Sequence, residues 1–257
     1  MYYIAVRFES IKKAIDADYV TMRGLHGVLF NVLEQCNPAE AEWLHQHPTP
    51  KPFSMAPYYR EEDGKGILVG VRYAAITDRA ATLIYEAWQR VYHTREMLRL
   101  GKYQTFRVEH VEVIHKWNFA EIAQMARQVP QKKMVLEFLS PTSFKQGPGH
   151  LPLPLPRNVF QRPLRVWQCY APMVLSIPAD WLDWCEQDVF VEEHQIQTGI
   201  AAITHKQRFI GFTGQVSFCA YKGEEQYLRV WQALGSFAAF CGVGHTTTMG
   251  MGAVERL

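Results

Sequence analysis

One α+β unit built twice over is what the sequence predicts, and three observations predict it. Tyr2 to Phe8 alternates aromatic and β-branched residues as a strand does, and Leu25, Val28, Leu29, Val32, Leu33 and Cys36 then recur at helical spacing. The succession strand, helix, strand, strand, helix, strand completes itself by His115 and partly recurs after Trp117. The third observation is a doubled Gly-x-Gly pair, Gly242 and Gly244 with Gly250 and Gly252, laid directly behind an apolar helical run and close to the C-terminus.

The elements follow in order. The first helix is expected to stop near Asn37-Pro38, where Asn37 as N-cap and Pro38 at the first helical position start a short helix through Gln46. Pro48, Pro50 and Pro52 end it. Phe53 to Arg60 and Gly66 to Ile76 read as strands, Asp78 to His93 as a helix, and Tyr103 to His115 as a strand carrying Val108, Val111 and Val113. In the second half Lys133 to Leu139 reads as a strand and Val159 to Tyr170 as a helix. Ile200 to Thr204 and Phe209 to Phe218 read as a strand pair, Tyr227 to Phe240 as a helix and Met249 to Val254 as a final strand. Each half is a ferredoxin-like unit. The expected domains are residues 1–120 and 121–257, joined near residues 117–130. His150 to Arg157, with prolines at 152, 154 and 156, is expected to be an extended connector, since proline fixes φ and removes donors. A ligand for a proline-recognising domain is the weaker reading.

Composition bounds the function. At 257 residues with 48% hydrophobic and 20% charged residues the chain is globular. It carries neither a long apolar run nor a charged leader before an apolar core, so the expectation is a cytoplasmic protein with no membrane span. The five cysteines are isolated and odd in number, which argues against a disulfide framework and predicts buried thiols. The formal net charge is only +2, but the charge is segregated. No acid lies between Glu137 and Asp180, a run holding Lys145, Arg157, Arg162 and Arg165; six acids and no base fall from Asp180 to Glu193; the acids vanish again to Gly223 while Lys206 and Arg208 appear. Such a pattern predicts a local positive face suited to a polyanion.

A phosphate loop of the dinucleotide or P-loop type needs a strand before it and a helix after it. Here a helix precedes the glycines and only a few residues follow, so that reading is excluded. Two readings stay open from spacing alone: exposed backbone N–H groups and close backbone approach for a phosphate chain, or a helix C-cap with a glycine-bearing last strand.

The chain resembles the CRISPR-associated repeat-processing endoribonucleases, the sixth Cas family within the RAMP superfamily. The residues that carry the resemblance are the Gly242 to Gly252 loop, Leu25-His26-Gly27-Val28-Leu29-Phe30-Asn31, Trp43-Leu44-His45, Lys51-Pro52-Phe53-Ser54, Ser140-Pro141-Thr142-Ser143-Phe144 and Gly211-Phe212-Thr213-Gly214. The resemblance implies tandem ferredoxin-like (RRM-like) domains that bind CRISPR repeat RNA, precursor and mature guide, and cut it once per repeat. Other Cas proteins of an effector complex are possible partners. It also implies metal-independent cleavage, with the 2′-hydroxyl attacking the adjacent phosphate, and no cofactor.

That reaction needs a group titrating near neutrality to move protons and a fixed cation beside the phosphorane. By the resemblance His45 and Lys51 fill those roles. His45 is expected at the end of the Pro38 helix, where free carbonyls favour imidazolium. The family's tyrosine in the first helix is Phe30 here, and His26, one turn earlier, is the candidate replacement. His26, His45 and His47 have no acidic or cysteine ligand at usual spacing, so no metal site is expected. The RNA-binding candidates are Gly242, Gly244, His245, Gly250, Gly252, Lys145, Arg157, Arg162, Lys206 and Arg208. A non-cleaving RNA-binding RAMP subunit of a surveillance complex is the alternative. The His45 and Lys51 pair, which binding alone does not require, separates the two.

Overall fold

The computed structural model describes residues 1–11, 14–17, 20–102, 104–127 and 131–257. The chain divides into two compact units: Met1–Lys116 with Ala201–Phe209 and Thr248–Gly250, and Trp117–Ile200 with Ile210–Thr247 and Met251–Leu257.

The first unit runs β1 (Tyr2–Ser10), α1 (Met22–Cys36), α2 (Pro38–Gln46), β2 (Phe53–Glu62), β3 (Lys65–Ala75), α3 (Asp78–Thr94), β4 (Leu98–Leu100) and β5 (Gln104–Lys116). Its sheet is antiparallel in the order β2-β3-β1-β5-β4. Without the short edge strand β4, this is the ferredoxin-like order. Val6 lies opposite Val71 on one side and Val111 on the other, so period-two alternation turns Ile4, Val6 and Phe8 to the core together. Trp88 of α3 is fully buried against Phe8 and Tyr73, with ring centroids 6.0 and 6.1 Å away.

The second unit adds α4 (Phe119–Met125), β6 (Lys133–Thr142), β7 (Phe144–Gln146), β8 (Gly149–Leu151), α5 (Pro156–Tyr170), α6 (Trp181–Asp188), β9 (Val189–Ala202), β10 (Arg208–Ala220), α7 (Glu225–Cys241), a 3-10 turn at Thr247–Met249, and β11 (Val254–Arg256). Its main sheet has the order β11-β6-β10-β9, the same ferredoxin-like order, and β7 and β8 form a separate hairpin. Phe160 of α5 packs against Phe218, Trp231 and Trp181, and Trp167 packs against Phe119 and Phe237.

Several expectations are corrected. Helix α1 begins a turn before Leu25 because Thr21 caps it, its hydroxyl accepting from Gly24 N at 3.1 Å. Of the expected strand at Ile200 to Thr204 only Ile200 to Ala202 is strand, as the end of β9, which starts at Val189; this edge strand is mostly exposed on both faces, so its sequence shows no apolar alternation. Met249 to Val254 is not a strand before Val254, because Gly250 and Gly252 hold φ of 88° and 69°. The connector at His150 to Arg157 is extended only in its middle. His150 and Leu151 lie in β8, while Pro156 opens α5 at its first turn. Residue 103, the expected start of β5, and residues 128–130 of the expected linker lie outside the described residues. Only Cys185 and Cys241 are buried thiols; Cys36 and Cys219 are partly exposed and Cys169 is exposed. Among the described residues no helix is long and apolar enough to cross a membrane.

Candidate active site

A single residue makes the corner on which the site is built. Asn37 closes α1 with its N–H on Leu33 O at 2.8 Å and opens α2 with its side chain accepting from Glu40 N at 3.2 Å. Pro38 at the first position has no N–H to satisfy. Helix α2 therefore folds back on α1, buries Ala41 and Leu44, and presents His45 at its exposed end. On its other side Arg79 of α3 forks onto Glu40 at 2.7 and 2.8 Å and lies 3.9 Å over the Trp43 ring.

The last carbonyls of α2 have no partner within the helix. Lys51 supplies one, its ammonium donating to His45 O and, at 3.3 Å, to Leu44 O. A cation at a helix C-terminus is favourable, so Lys51 fixes the turn that carries His45. Burial pulls its pKa below the usual 10.5.

His26 and His45 meet on one phenyl ring. The Phe30 centroid is 4.7 Å from His26 and 5.0 Å from His45, the latter edge-on at 81°. The departure to Phe30 therefore replaces a hydroxyl with a spacer between two imidazoles. His26 Nδ1 lies 3.0 Å from Thr248 O. A carbonyl only accepts, so Nδ1 carries the hydrogen, and neutral His26 keeps its lone pair on Nε2. Burial lowers the His26 pKa from 6.5; the Thr248 bond opposes this, and the His45 and Lys51 charges reinforce it. His47 belongs elsewhere, with Nδ1 at Pro48 O and its ring against Trp43. Among the described residues no three His, Cys, Asp or Glu side chains form a metal-holding group.

The glycine loop is first of all consumed by its own fold. Gly242, Gly244, Gly250 and Gly252 all have positive φ. A Cβ on Gly244 would strike Ser143 O, and one on Gly252 would strike Val243 O. Val243 N donates to Gly252 O at 2.8 Å, His245 N to Ser143 O at 3.3 Å and Gly252 N to Pro141 O at 3.2 Å. The backbone that approaches these glycines is the chain's own. Contacts within the loop and with Ser143 account for Gly242, Gly244 and Gly252, while a Cβ on Gly250 would meet the Met22 and Pro57 side chains; the loop also carries His245. It lies beside His150 of β8, with Nε2 3.2 Å from His150 Nδ1 and the rings stacked at 5.2 Å.

The segregation of charge along the sequence is partly undone in space. Arg157 is held by Asp183 at 2.7 Å and Glu186 at 2.8 Å, both from the acidic run. Arg162 is half-buried and donates to Cys241 O at 3.1 Å, capping the end of α7. Lys145 is exposed on β7. Lys206 and Arg208, also exposed, sit at the turn into β10 and belong to the first unit. Sequence reading missed Thr248, whose contribution is a carbonyl, and His150, hidden among prolines; no side-chain pattern signals the first.

The model of the CRISPR-associated endoribonuclease Cas6 family matches residues 136–254. No match is found among curated proteins. Among solved structures the chain is similar to a product complex of Thermus thermophilus Cas6 (TTHB231), at 24% identity and a TM-score of 0.82, covering 100% of this chain and 99% of that one. A product complex of Cas6 (TTHA0078) matches at 24% identity and a TM-score of 0.76, with 100% of each chain covered. A RAMP protein described as binding different RNA substrates matches at 14% identity and a TM-score of 0.63, again with 100% of each covered. The chain thus carries the pattern of the CRISPR-associated endoribonuclease Cas6 family across residues 136–254 and shares the fold of the Cas6 structures across its whole length.

Proposed function

We propose that the protein binds CRISPR repeat RNA and cleaves the precursor transcript by attack of a ribose 2′-hydroxyl on the adjacent phosphate, leaving a 2′,3′-cyclic phosphate and a 5′-hydroxyl. The observation that carries this reading is the pair of imidazoles set on Phe30, one with its tautomer fixed by Thr248 O. Two proton transfers are needed, and two imidazoles suffice for both. His26, held neutral by burial, takes the 2′-hydroxyl proton on Nε2; His45, exposed, gives a proton to the departing 5′-oxygen. Lys51 acts by fixing the end of α2 under His45 and by adding positive charge beside the phosphorane. The chemistry is assigned to residues 1–120, and RNA grip to residues 121–257, Lys206 and Arg208 included.

The test is single-turnover cleavage of a repeat hairpin RNA in excess EDTA, with and without a 2′-deoxy substitution at the scissile nucleotide. Cleavage that survives EDTA and stops on deoxy substitution supports the mechanism. Tight, repeat-selective binding with no cleavage by the unaltered protein would instead make it a non-cleaving RNA-binding subunit.

A further inference from the structure

We propose that the bare face of α1 at Gly27 seats the ribose of the scissile nucleotide, so that the absent side chain sets the distance between the 2′-hydroxyl and His26. The proposal rests on the RNA-cleavage reading and adds to it a substrate-contact residue.

Among the described residues three glycines lie inside helices, and the fold accounts for two of them. A Cβ on Gly24 would come within 2.8 Å of the Thr21 hydroxyl that caps α1 and 3.2 Å of the Leu100 side chain; one on Gly235 of α7 would strike the Met134 side chain. A Cβ on Gly27 would meet nothing within 4 Å, and the residue is exposed. Its backbone is helical with negative φ, so no conformation demands glycine there either. Inside a helix glycine loses more conformational entropy on folding than any other residue. Position 27 therefore lacks stability that alanine would supply, and packing does not benefit from the exchange.

The neighbours of the gap indicate what it serves. Gly27 directly follows His26, and Arg23 and Phe30 stand four residues before it and three after it on the same side of α1. The guanidinium of exposed Arg23 has no hydrogen bond or ion pair among the described residues. Arg23 N donates to Ile203 O at 3.1 Å and so holds the turn between β9 and β10 against the start of α1. Within that turn Thr204 Oγ1 accepts from Lys206 N at 3.2 Å and from Gln207 N at 3.1 Å. Cations thus stand on the N-terminal side of the gap, where they can follow the phosphates of a strand laid over Gly27. Exposed Glu34 lies two turns beyond it, so the phosphates run toward Arg23 rather than toward the end of α1.

A ribose resting on bare helix sits closer to the helix axis, by about one carbon–carbon bond or about 1.5 Å, than one resting on a methyl group. A shift of that size carries a hydrogen bond to His26 Nε2 out of range. Displacing a reacting atom by about 1 Å can cost on the order of 10²-fold in rate.

The experiment takes Gly27→Ala and Gly27→Gln in the full chain and measures three quantities. These are the melting temperature, the single-turnover cleavage rate of a CRISPR-repeat hairpin RNA at saturating protein, and the affinity for the same hairpin with a 2′-deoxy scissile nucleotide. Gly27→Ala is expected to melt about 1–3 °C above the parent and to cleave at least about tenfold more slowly. Gly27→Gln, also a better helix former than glycine, should be slower still without being less stable than the parent. A purely structural role cannot produce these opposite signs: a glycine the fold requires would lower the melting temperature when replaced, and an idle one would leave the rate alone. Either of those results for Gly27→Ala overturns the proposal. If the parent itself cuts no RNA, the cleavage reading falls; Gly27 then stands as an RNA seat if affinity for the deoxy hairpin drops from parent to Ala to Gln, and the proposal is overturned if all three bind alike.

Discussion

Each unit of the molecule holds a histidine whose pKa is lowered, first of all by burial, yet the two are wired differently. His26 gives one nitrogen to a backbone carbonyl and, in the mechanism proposed above, uses the other as the base, with Phe30 interposed before His45. His245 engages both nitrogens, one with Thr246 and one with His150. The difference teaches that a depressed imidazole pKa does not by itself mark a catalytic base. What marks one is a nitrogen whose lone pair is left over after the ring has been oriented.

The largest test of that contrast is His26→Ala and His45→Ala under single turnover. Each is expected to lose roughly 10² to 10⁴ in cleavage rate with RNA affinity and melting temperature nearly unchanged. If His26→Ala cuts as the parent does while His45→Ala fails, the base is not on α1 and the role drawn from its tautomer is wrong.

Next in size is Gly252→Val, expected to destabilise the fold by more than about 2 kcal/mol because the new Cβ meets Val243 O at a positive φ. Chemical denaturation measures it; a folded, stable variant that has lost only RNA affinity would restore the glycines to a direct binding role.

The pH profile sharpens the comparison further. His26 is a base only when neutral, so the cleavage rate should fall on acidification through a pKa below 6.5. Stability follows the same sign. The unfolded chain binds the proton more readily than folded His26 or His245, so the stabilising contribution is complete above about pH 6.5 and is lost for His245 as the pH falls toward about 4. Melting temperatures of the parent and His245→Gln between pH 7 and pH 4 check this, with the smaller acid loss expected in the variant.

Lys51→Ala should cost less, on the order of tenfold in rate, by loosening the turn under His45; Lys51→Arg, able to reach the same carbonyls, should recover most of it. The smallest effect belongs to Arg157→Ala, whose guanidinium is already matched by Asp183 and Glu186. Its RNA affinity should change less than that of Lys145→Ala in a salt titration.

Local signals were legible in the sequence wherever one residue type does one job. Asn37 as a double cap and Pro38 at the first helical position follow from side-chain chemistry alone, and they place His45 before any coordinates are consulted. The repeated strand order was legible because periodicity survives in buried strands such as β1 and β6. It failed for β9, where an exposed edge strand carries Glu192, Glu193 and His194 and shows no apolar alternation. Charge was the least legible property. The run rich in arginine and the run rich in acids are separate in sequence, but α5 and α6 bring Arg157 to Asp183 and Glu186, so composition by segment overstated the positive surface. The glycines were legible at the right positions, while their partners were not: the chain's own carbonyls approach Gly244 and Gly252, and sequence spacing carries no information on which backbone arrives.

The Thr248 carbonyl has a consequence for how this protein is dissected. Scanning side chains by alanine leaves that oxygen in place at every step, so the group that selects the His26 tautomer would be silent in any such scan. Main-chain chemistry reaches it: semisynthesis of the C-terminal segment with an α-hydroxy acid at residue 249 turns the Thr248–Met249 amide into an ester, whose carbonyl is a poorer acceptor. The ring of His26 would then lose its preference between Nδ1–H and Nε2–H while every side chain facing it stayed the same, and part of the population would present a hydrogen where the reaction needs a lone pair.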